Sequence, residues 1–88
     1  MIDKNGNPSA DVPVDGSIAV FFRARTKIKD VEDILKQSGC RLTVYFTVGT
    51  DLCCHVNVVV GSEDAFVVKF RAMPEVVKSD RIYLQGYL

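Results

Sequence analysis

The sequence has no tryptophan, a single histidine and no excess of either charge. Eleven basic and eleven acidic side chains cancel to a formal net charge of zero. A protein that binds a phosphate backbone needs a surplus of Lys and Arg, so we expect no nucleic acid as a partner. No apolar run approaches the ~20 residues of a membrane-spanning helix, so we expect no membrane partner either.

Signals for export and for cofactor binding are also missing. Residues 1–6 lack the apolar segment of a secretory leader, which makes the cytoplasm the expected compartment. Gly49 and Gly61 are isolated turn glycines rather than parts of a phosphate-binding loop. We therefore expect no cofactor.

The chain length suffices for one domain built on one hydrophobic core, since the sequence has 88 residues. With 48% hydrophobic and 25% charged residues, its composition is typical of a globular chain. Residues 1–16 are rich in Asn, Gly and Pro and lack an apolar period, which predicts a flexible N-terminal tail. Residues 17–88 are predicted to form the single domain.

Several segments of this domain carry a hydrophobic period. Alternation of period two predicts strands over residues 17–24, 41–48, 53–60 and 81–84. Apolar residues at helical spacing predict a helix over residues 26–38. Thr26 is the expected N-cap of this helix, and Gly39 is expected to close it in a left-handed conformation.

A second helix is predicted between Ser62, which can cap it, and Pro74, which stops it. Its apolar residues form two sets, an inward face of Ala65, Val68, Ala72 and Met73 and a second set of Phe66, Val67 and Phe70. We expect the second set to wrap round the edge of the core. Because residues 66–70 also have strand propensity, a fifth strand is the alternative for this segment.

The resulting order is strand, helix, strand, strand, helix, strand. This order predicts an α+β protein with the ferredoxin-like βαββαβ fold. Two helices should cover one face of a four-stranded antiparallel sheet and leave the other face open.

Strict alternation assigns each strand residue to one of the two faces. The inward positions are predicted as Ile18, Val20, Phe22, Ala24, Leu42, Val44, Phe46, Val48, Cys54, Val56, Val58, Val60, Ile82 and Leu84. The open-face positions are predicted as Ala19, Phe21, Arg23, Arg41, Thr43, Tyr45, Thr47, Cys53, His55, Asn57, Val59, Arg81 and Tyr83, and Gln85 joins them if the last strand continues that far.

Aromatic and arginine side chains such as those of the predicted open face are enriched at protein interfaces. We therefore expect partner binding there, with Phe21, Arg23, Tyr45, His55 and Tyr83 as the contact residues. The alternative is an ordinary solvated face, on which scattered apolar side chains need no explanation.

The cysteines do not indicate a reactive or metal-binding centre. Their count of three is odd and favours reduced thiols. Cys53 and His55 share one strand face, but two ligands fall short of the four that a structural zinc site uses. Same-face neighbours on a strand lie ~7 Å apart, and no third group is placed to orient the imidazole. We expect no metal and no catalysis, so that His55→Ala should leave any activity intact.

The chain resembles the prosegments of subtilisin-type proteases. Short motifs carry this resemblance, at residues 18–23, 31–35, 39–41, 56–65, 70–76 and 79–81. They are similar to that family's first strand, first helix, glycine-started second strand, capped second helix, "Pro-x-Val" turn at Pro74 and closing strand. The resemblance spans residues 17–88 and implies a ferredoxin-like fold.

This resemblance implies a free-standing inhibitor or folding chaperone of a serine protease. In the family, the open sheet face packs on surface helices of the protease, and the C-terminal residues enter its cleft as a product. By position, residues 84–88 would form that tail, with Leu84, Tyr87 and Leu88 as contact residues. A subtilisin-like serine protease is therefore the most concrete partner.

The same element order and a similar turn after the second helix also occur in ACT domains, which sense small molecules. This second resemblance implies a ligand-sensing or oligomerisation domain, in which strand edges pair between subunits and ligands bind at the interface. Residues 25–27 lack the glycine-and-acid turn typical of amino-acid sensors. Monomer and homodimer both remain open at this point.

Overall fold

The computed structural model describes residues 11–85 and has the predicted order of strands and helices. Its elements are β1 (Asp11–Phe22), α1 (Ile28–Gln37), β2 (Arg41–Val48), β3 (Asp51–Asn57), α2 (Glu63–Arg71) and β4 (Val76–Gln85). The four strands form one antiparallel sheet in the order β2-β3-β1-β4. The predicted α+β, ferredoxin-like fold is confirmed.

The first and the last strand, β1 and β4, are both longer than the sequence predicts. β1 starts at Asp11 rather than at residue 17, and Asp11 pairs with Gln85 at the end of β4. Residues 11–16, which the composition assigns to the tail, are therefore the first part of β1. β4 likewise starts at Val76 rather than at Arg81. The predicted tail residues 1–10 lie outside the described residues.

The core lies between the helices and one face of the sheet. β1 is a central strand and supplies three of its fully buried side chains, Ile18, Val20 and Phe22. Helix α1 adds Val31 and Leu35, which are four residues apart and so lie on one face of the helix. The remaining buried members of this cluster are Cys54, Val56, Val67, Phe70 and Val76.

Helix α2 turns a different face to the sheet from the one predicted. Val67 and Phe70 are buried, whereas Val68 is 64% exposed and Ala65 is exposed as well. Val67 and Phe70 lie four and seven residues after Glu63, which is also buried, and this is the spacing of residues on one helix face. The set led by Phe66 therefore contacts the core as predicted, while the predicted inward face of Ala65 and Val68 is wrong. The alternative of a fifth strand here is also wrong.

At the ends of α1 the structure confirms the predicted role of Gly39 but not that of Thr26. Gly39 has φ +76° and closes the helix as expected, with the Cys40 N–H donating to the Leu35 carbonyl at 2.8 Å. The N-cap position is Lys27 rather than Thr26. The Thr26 hydroxyl instead donates to the Arg23 carbonyl at 2.7 Å and closes the turn between β1 and α1.

Strand β3 ends at Asn57, before the end predicted from alternation. Val60, a predicted inward residue, is 66% exposed and lies in the loop that leads to Gly61. Val59, a predicted open-face residue, lies in the same loop. The chain leaves the sheet here because Ser62 folds back, with its N–H donating to the Val59 carbonyl at 3.0 Å.

A buried carboxylate joins this loop to β1. Glu63 is 4% exposed, and its two oxygens accept the N–H groups of Gly16 and Gly61, each at 2.8 Å. Gly16 has φ +74° and lies where the pairing of β1 with β4 shifts register. The bond from Gly16 is the main cause of a lowered pKa for Glu63, with further contributions from its own N–H, from Gly61 and from the charge of Arg81.

We expect Glu63→Gln to destabilise the protein above pH 5 and to weaken its loss of stability in acid. A carboxyl group whose pKa is lower in the folded state stabilises the fold above its unfolded pKa, and this contribution is lost as the pH falls through the folded pKa. Urea unfolding followed by circular dichroism between pH 2 and pH 7 measures both effects.

The matched control is Asp64→Asn, which removes the neighbouring charge. Asp64 is exposed and forms a surface ion pair with Arg81 at 3.2 Å, so loss of its charge should cost less than about 1 kcal/mol. Equal effects of the two substitutions would contradict the role given to Glu63.

Candidate functional site

One extra residue in β2 decides which side chains reach the open face, the side of the sheet that faces away from the helices. Leu42 pairs with Val56, whereas Val44 pairs with His55, so the residue between them is a bulge. Directly opposed residues of antiparallel strands lie on the same face. The alternation of β2 is therefore reversed after the bulge.

The predicted facing of β2 is wrong beyond this point. Tyr45 pairs with Cys54, a core residue, and so lies on the helix side of the sheet. Phe46 pairs with Cys53 and lies on the open face. Val44 and Val48 follow Phe46 by alternation and face the same way.

The open face carries ordered rows of side chains that run across the sheet. One row contains Phe46, Cys53, Phe21 and Lys78, from β2, β3, β1 and β4 in turn. The next row contains Val44, His55, Ala19 and Asp80. Apolar residues thus occupy the β2 side of this face, and charged residues occupy the β4 side.

We call Phe21, Val44, Phe46, Val48 and Cys53 the apolar patch. Cys53 is only 2% exposed although it points away from the helices, because Phe21 and Phe46 flank it on the neighbouring strands. Val44, Phe46 and Val48 remain 44–46% exposed. The patch is therefore a shallow surface with a covered centre and an exposed outer row on β2.

Two aromatic contacts hold the patch in place. The rings of Phe46 and His55 meet edge to face, with 5.4 Å between their centroids. The Lys78 ammonium lies 5.5 Å from the centroid of the Phe21 ring, on the β4 side. His55 and Lys78 thus border the patch with polar groups.

Phe21 and His55 lie on the open face, as the sequence predicts, but Arg81 and Tyr83 do not. Arg81 pairs with the core residue Ile18 and reaches Asp64 of α2 at 3.2 Å. β4 is regular from Lys78 onward, so alternation places Tyr83 on the same side as Arg81. The sequence predicts this strand only from Arg81, with Ile82 and Leu84 inward, whereas the register with β1 places Arg81 on the helix side.

The remaining predicted contact residues lie at the ends of strands. Arg23 follows β1, and its Nε donates to the Pro74 carbonyl at 2.7 Å, which ties β1 to the loop before β4. Leu84 belongs to β4 and pairs with Val12, so it is part of the sheet and not of the tail that the resemblance implies. The Leu84 side chain lies outside the described part of the structure, and so do Tyr87 and Leu88.

The thiols are held in their protonated form. Burial raises the pKa of Cys53, and the charge of Lys78 offsets part of this effect. Burial raises the pKa of Cys54 to about 12, with a further rise from neighbouring Cys53. A protonated thiol is a poor nucleophile and a poor metal ligand, so neither thiol is activated. Within residues 11–85 no group of three His, Cys, Asp or Glu side chains could hold a metal ion.

An open groove of about 360 Å³ runs between α1 and the start of β2. Its lining combines both signs of charge with apolar groups, from Glu32, Asp33, Leu35, Lys36, Cys40, Arg41 and Leu42. Burial also raises the pKa of the Cys40 thiol, and Lys69 partly offsets this. The groove is the second surface feature that could receive a ligand.

Comparisons with known proteins add no assignment. Neither protein-family models, nor curated protein sequences, nor solved structures gave a match to this chain. Across residues 11–85, none of the helices has the length and apolar character needed to cross a membrane.

We expect Phe46→Ala to speed the alkylation of Cys53 by iodoacetamide severalfold, because the Phe46 ring covers that thiol on the open face. Cys54, on the helix side, should keep its slow reaction. Mass spectrometry of the digested protein, sampled over time, measures each thiol separately.

Tyr45→Ala is the matched control, since Tyr45 directly precedes Phe46 in β2 but lies on the helix side of the sheet. It should leave the rate at Cys53 unchanged. A faster reaction of Cys53 in this control, or of Cys54 in Phe46→Ala, would indicate general loosening rather than local exposure.

Proposed function

We propose that this chain is a non-catalytic protein-interaction domain whose partner docks on the open face. The observation that carries the proposal is the outer row of the apolar patch, along β2. Its residues Val44, Phe46 and Val48 are apolar yet 44–46% exposed. Burying such side chains against a partner releases ordered water and contributes roughly 25 cal/mol per Å² of apolar surface.

The arrangement of polar groups supports a protein as the partner. Protein interfaces commonly have an apolar centre and a polar rim. Here the polar rim consists of Lys78 and Asp80, which border the patch on β4, and of Arg41 and Asp51, which lie at the two ends of the outer row on β2. A sheet is also a rigid support, so docking on it loses little conformational entropy.

The most concrete partner is a subtilisin-like serine protease. The motifs shared with protease prosegments support this, and the ferredoxin-like fold is the one that resemblance implies. On this proposal the open face packs on the surface of the protease, and the residues that follow β4, among them Tyr87 and Leu88, enter its cleft. An extended tail binds there through main-chain hydrogen bonds, with side-chain pockets that set preference.

Inhibition of a panel of subtilisin-type proteases by the full chain tests this proposal. Phe46→Ser should weaken inhibition about tenfold or more, since loss of an aromatic contact at an interface costs about 1–2 kcal/mol. Deletion of Tyr87 and Leu88 should weaken inhibition as well, because it shortens the segment assigned to the cleft.

Val68→Ser is the matched control, since Val68 is an apolar residue on α2 that is 64% exposed and lies on the helix side. It should leave inhibition unchanged. Binding of a protease that survives Phe46→Ser but not the deletion would restrict the proposal to the tail. A chain that neither binds nor inhibits any member of the panel would refute the protease as partner.

The groove beside α1 supports a second candidate, an ACT-like domain that senses a small molecule. Its lining offers Glu32 and Asp33 to a cation and Lys36 to an anion, which suits a zwitterion such as a free amino acid. A rise in thermal stability with one amino acid, lost in Lys36→Ala, would favour this candidate over the protease inhibitor.

A further inference from the structure

The outer edge of β2 differs from the outer edge of β4. Both are edge strands, and within residues 11–85 each has one neighbouring strand. Edge strands usually avoid uncontrolled pairing by carrying charges or bulges. β4 carries Lys78, Asp80 and Arg81 and a bulge.

β2 has much less of this protection. From Leu42 to Thr50 the chain contains no charged residue and no proline, and the bulge lies near the start of the strand. The segment from Val44 to Val48 is regular, β-branched or aromatic throughout, and exposed. Within residues 11–85 no strand pairs with the outer edge of this segment, so its outward N–H and C=O groups can pair with another strand.

We propose that two copies of this chain pair through their β2 strands, antiparallel and about a twofold axis. The charges that flank β2 favour this direction. Arg41 stands at one end of the strand, and Asp51 stands at the other, opposite Val48 across the hairpin. Antiparallel pairing places Arg41 of each copy near Asp51 of the other, whereas parallel pairing places like charges together.

The bulge and the turn limit the pairing to residues 44–48. A twofold axis at Phe46 places Val44 of one copy opposite Val48 of the other, with the two Phe46 residues side by side. This register keeps both open faces on the same side, because residues two positions apart share a face. Arg41 and Asp51 also lie on the open face, at the ends of the joined apolar row.

This pairing does not depend on the function of the open face. It uses the backbone edge of β2 and leaves the open faces of both copies accessible on one side of an eight-stranded sheet. A failure of protease binding would therefore not bear on it.

Charge reversal across the edge tests the inference. Sedimentation equilibrium of the full chain at low ionic strength should give the mass of two 9.8 kDa chains. Arg41→Asp and Asp51→Arg should each raise the dimer dissociation constant about tenfold, because like charges then face each other at both ends. The double variant should restore the wild-type constant, and 1 M salt should remove the differences.

The matched control is Lys78→Asp, the same change of charge on the opposite edge strand, which should leave the dissociation constant unchanged. Circular dichroism of each variant verifies that it is folded. A wild-type chain that is monomeric at millimolar concentration would overturn the inference. So would a double variant as weak as the single ones, or an open-ended aggregate in place of a dimer.

Discussion

The bulge in β2 is the constraint on which the exposed surface depends. It keeps Leu42 in contact with the core and turns Val44, Phe46 and Val48 away from the helices. Without the extra residue, Tyr45 and Thr47 would face outward and the three apolar side chains would face α1. A stable monomer gains nothing from leaving these side chains half exposed, since their burial would contribute free energy. These are the side chains that a partner on the open face, as proposed, would cover.

A second constraint is polar and acts on the opposite side of the sheet. The Glu63 carboxylate accepts N–H groups from Gly16 in β1 and from Gly61 in the loop before α2. It thus links the part of β1 where the pairing with β4 shifts register to the start of α2, the helix that packs on β1. The register shifts of β1 and β2 have opposite surroundings, because the one in β1 is anchored by a buried charge, while the one in β2 lies at an exposed edge.

The order of elements was predictable because each regular segment carries its own signals, such as the alternation of β2 and the glycine after α1. The facing of Tyr45 and Phe46 was not predictable, because strict alternation assumes that a strand contains no extra residue. A bulge reverses the faces of all residues beyond it without changing their hydrophobic period. The role of Glu63 was hidden for a related reason, since its partners are backbone groups of glycines that are far apart in sequence.

The residues of β2 contribute to two surfaces that are separable by their chemistry. Side chains of Val44, Phe46 and Val48 form the outer row of the open face, and the backbone of the same segment forms the edge. Arg41 and Asp51 flank the edge but lie outside the apolar patch, and Lys78 borders the patch at a distance from the edge. On the two proposals, charge at the ends of β2 would act both on pairing between copies and on the rim of the open face, whereas charge on β4 would act on the open face alone. Phe46 belongs to both surfaces, and for this reason a change at Phe46 alone cannot distinguish them.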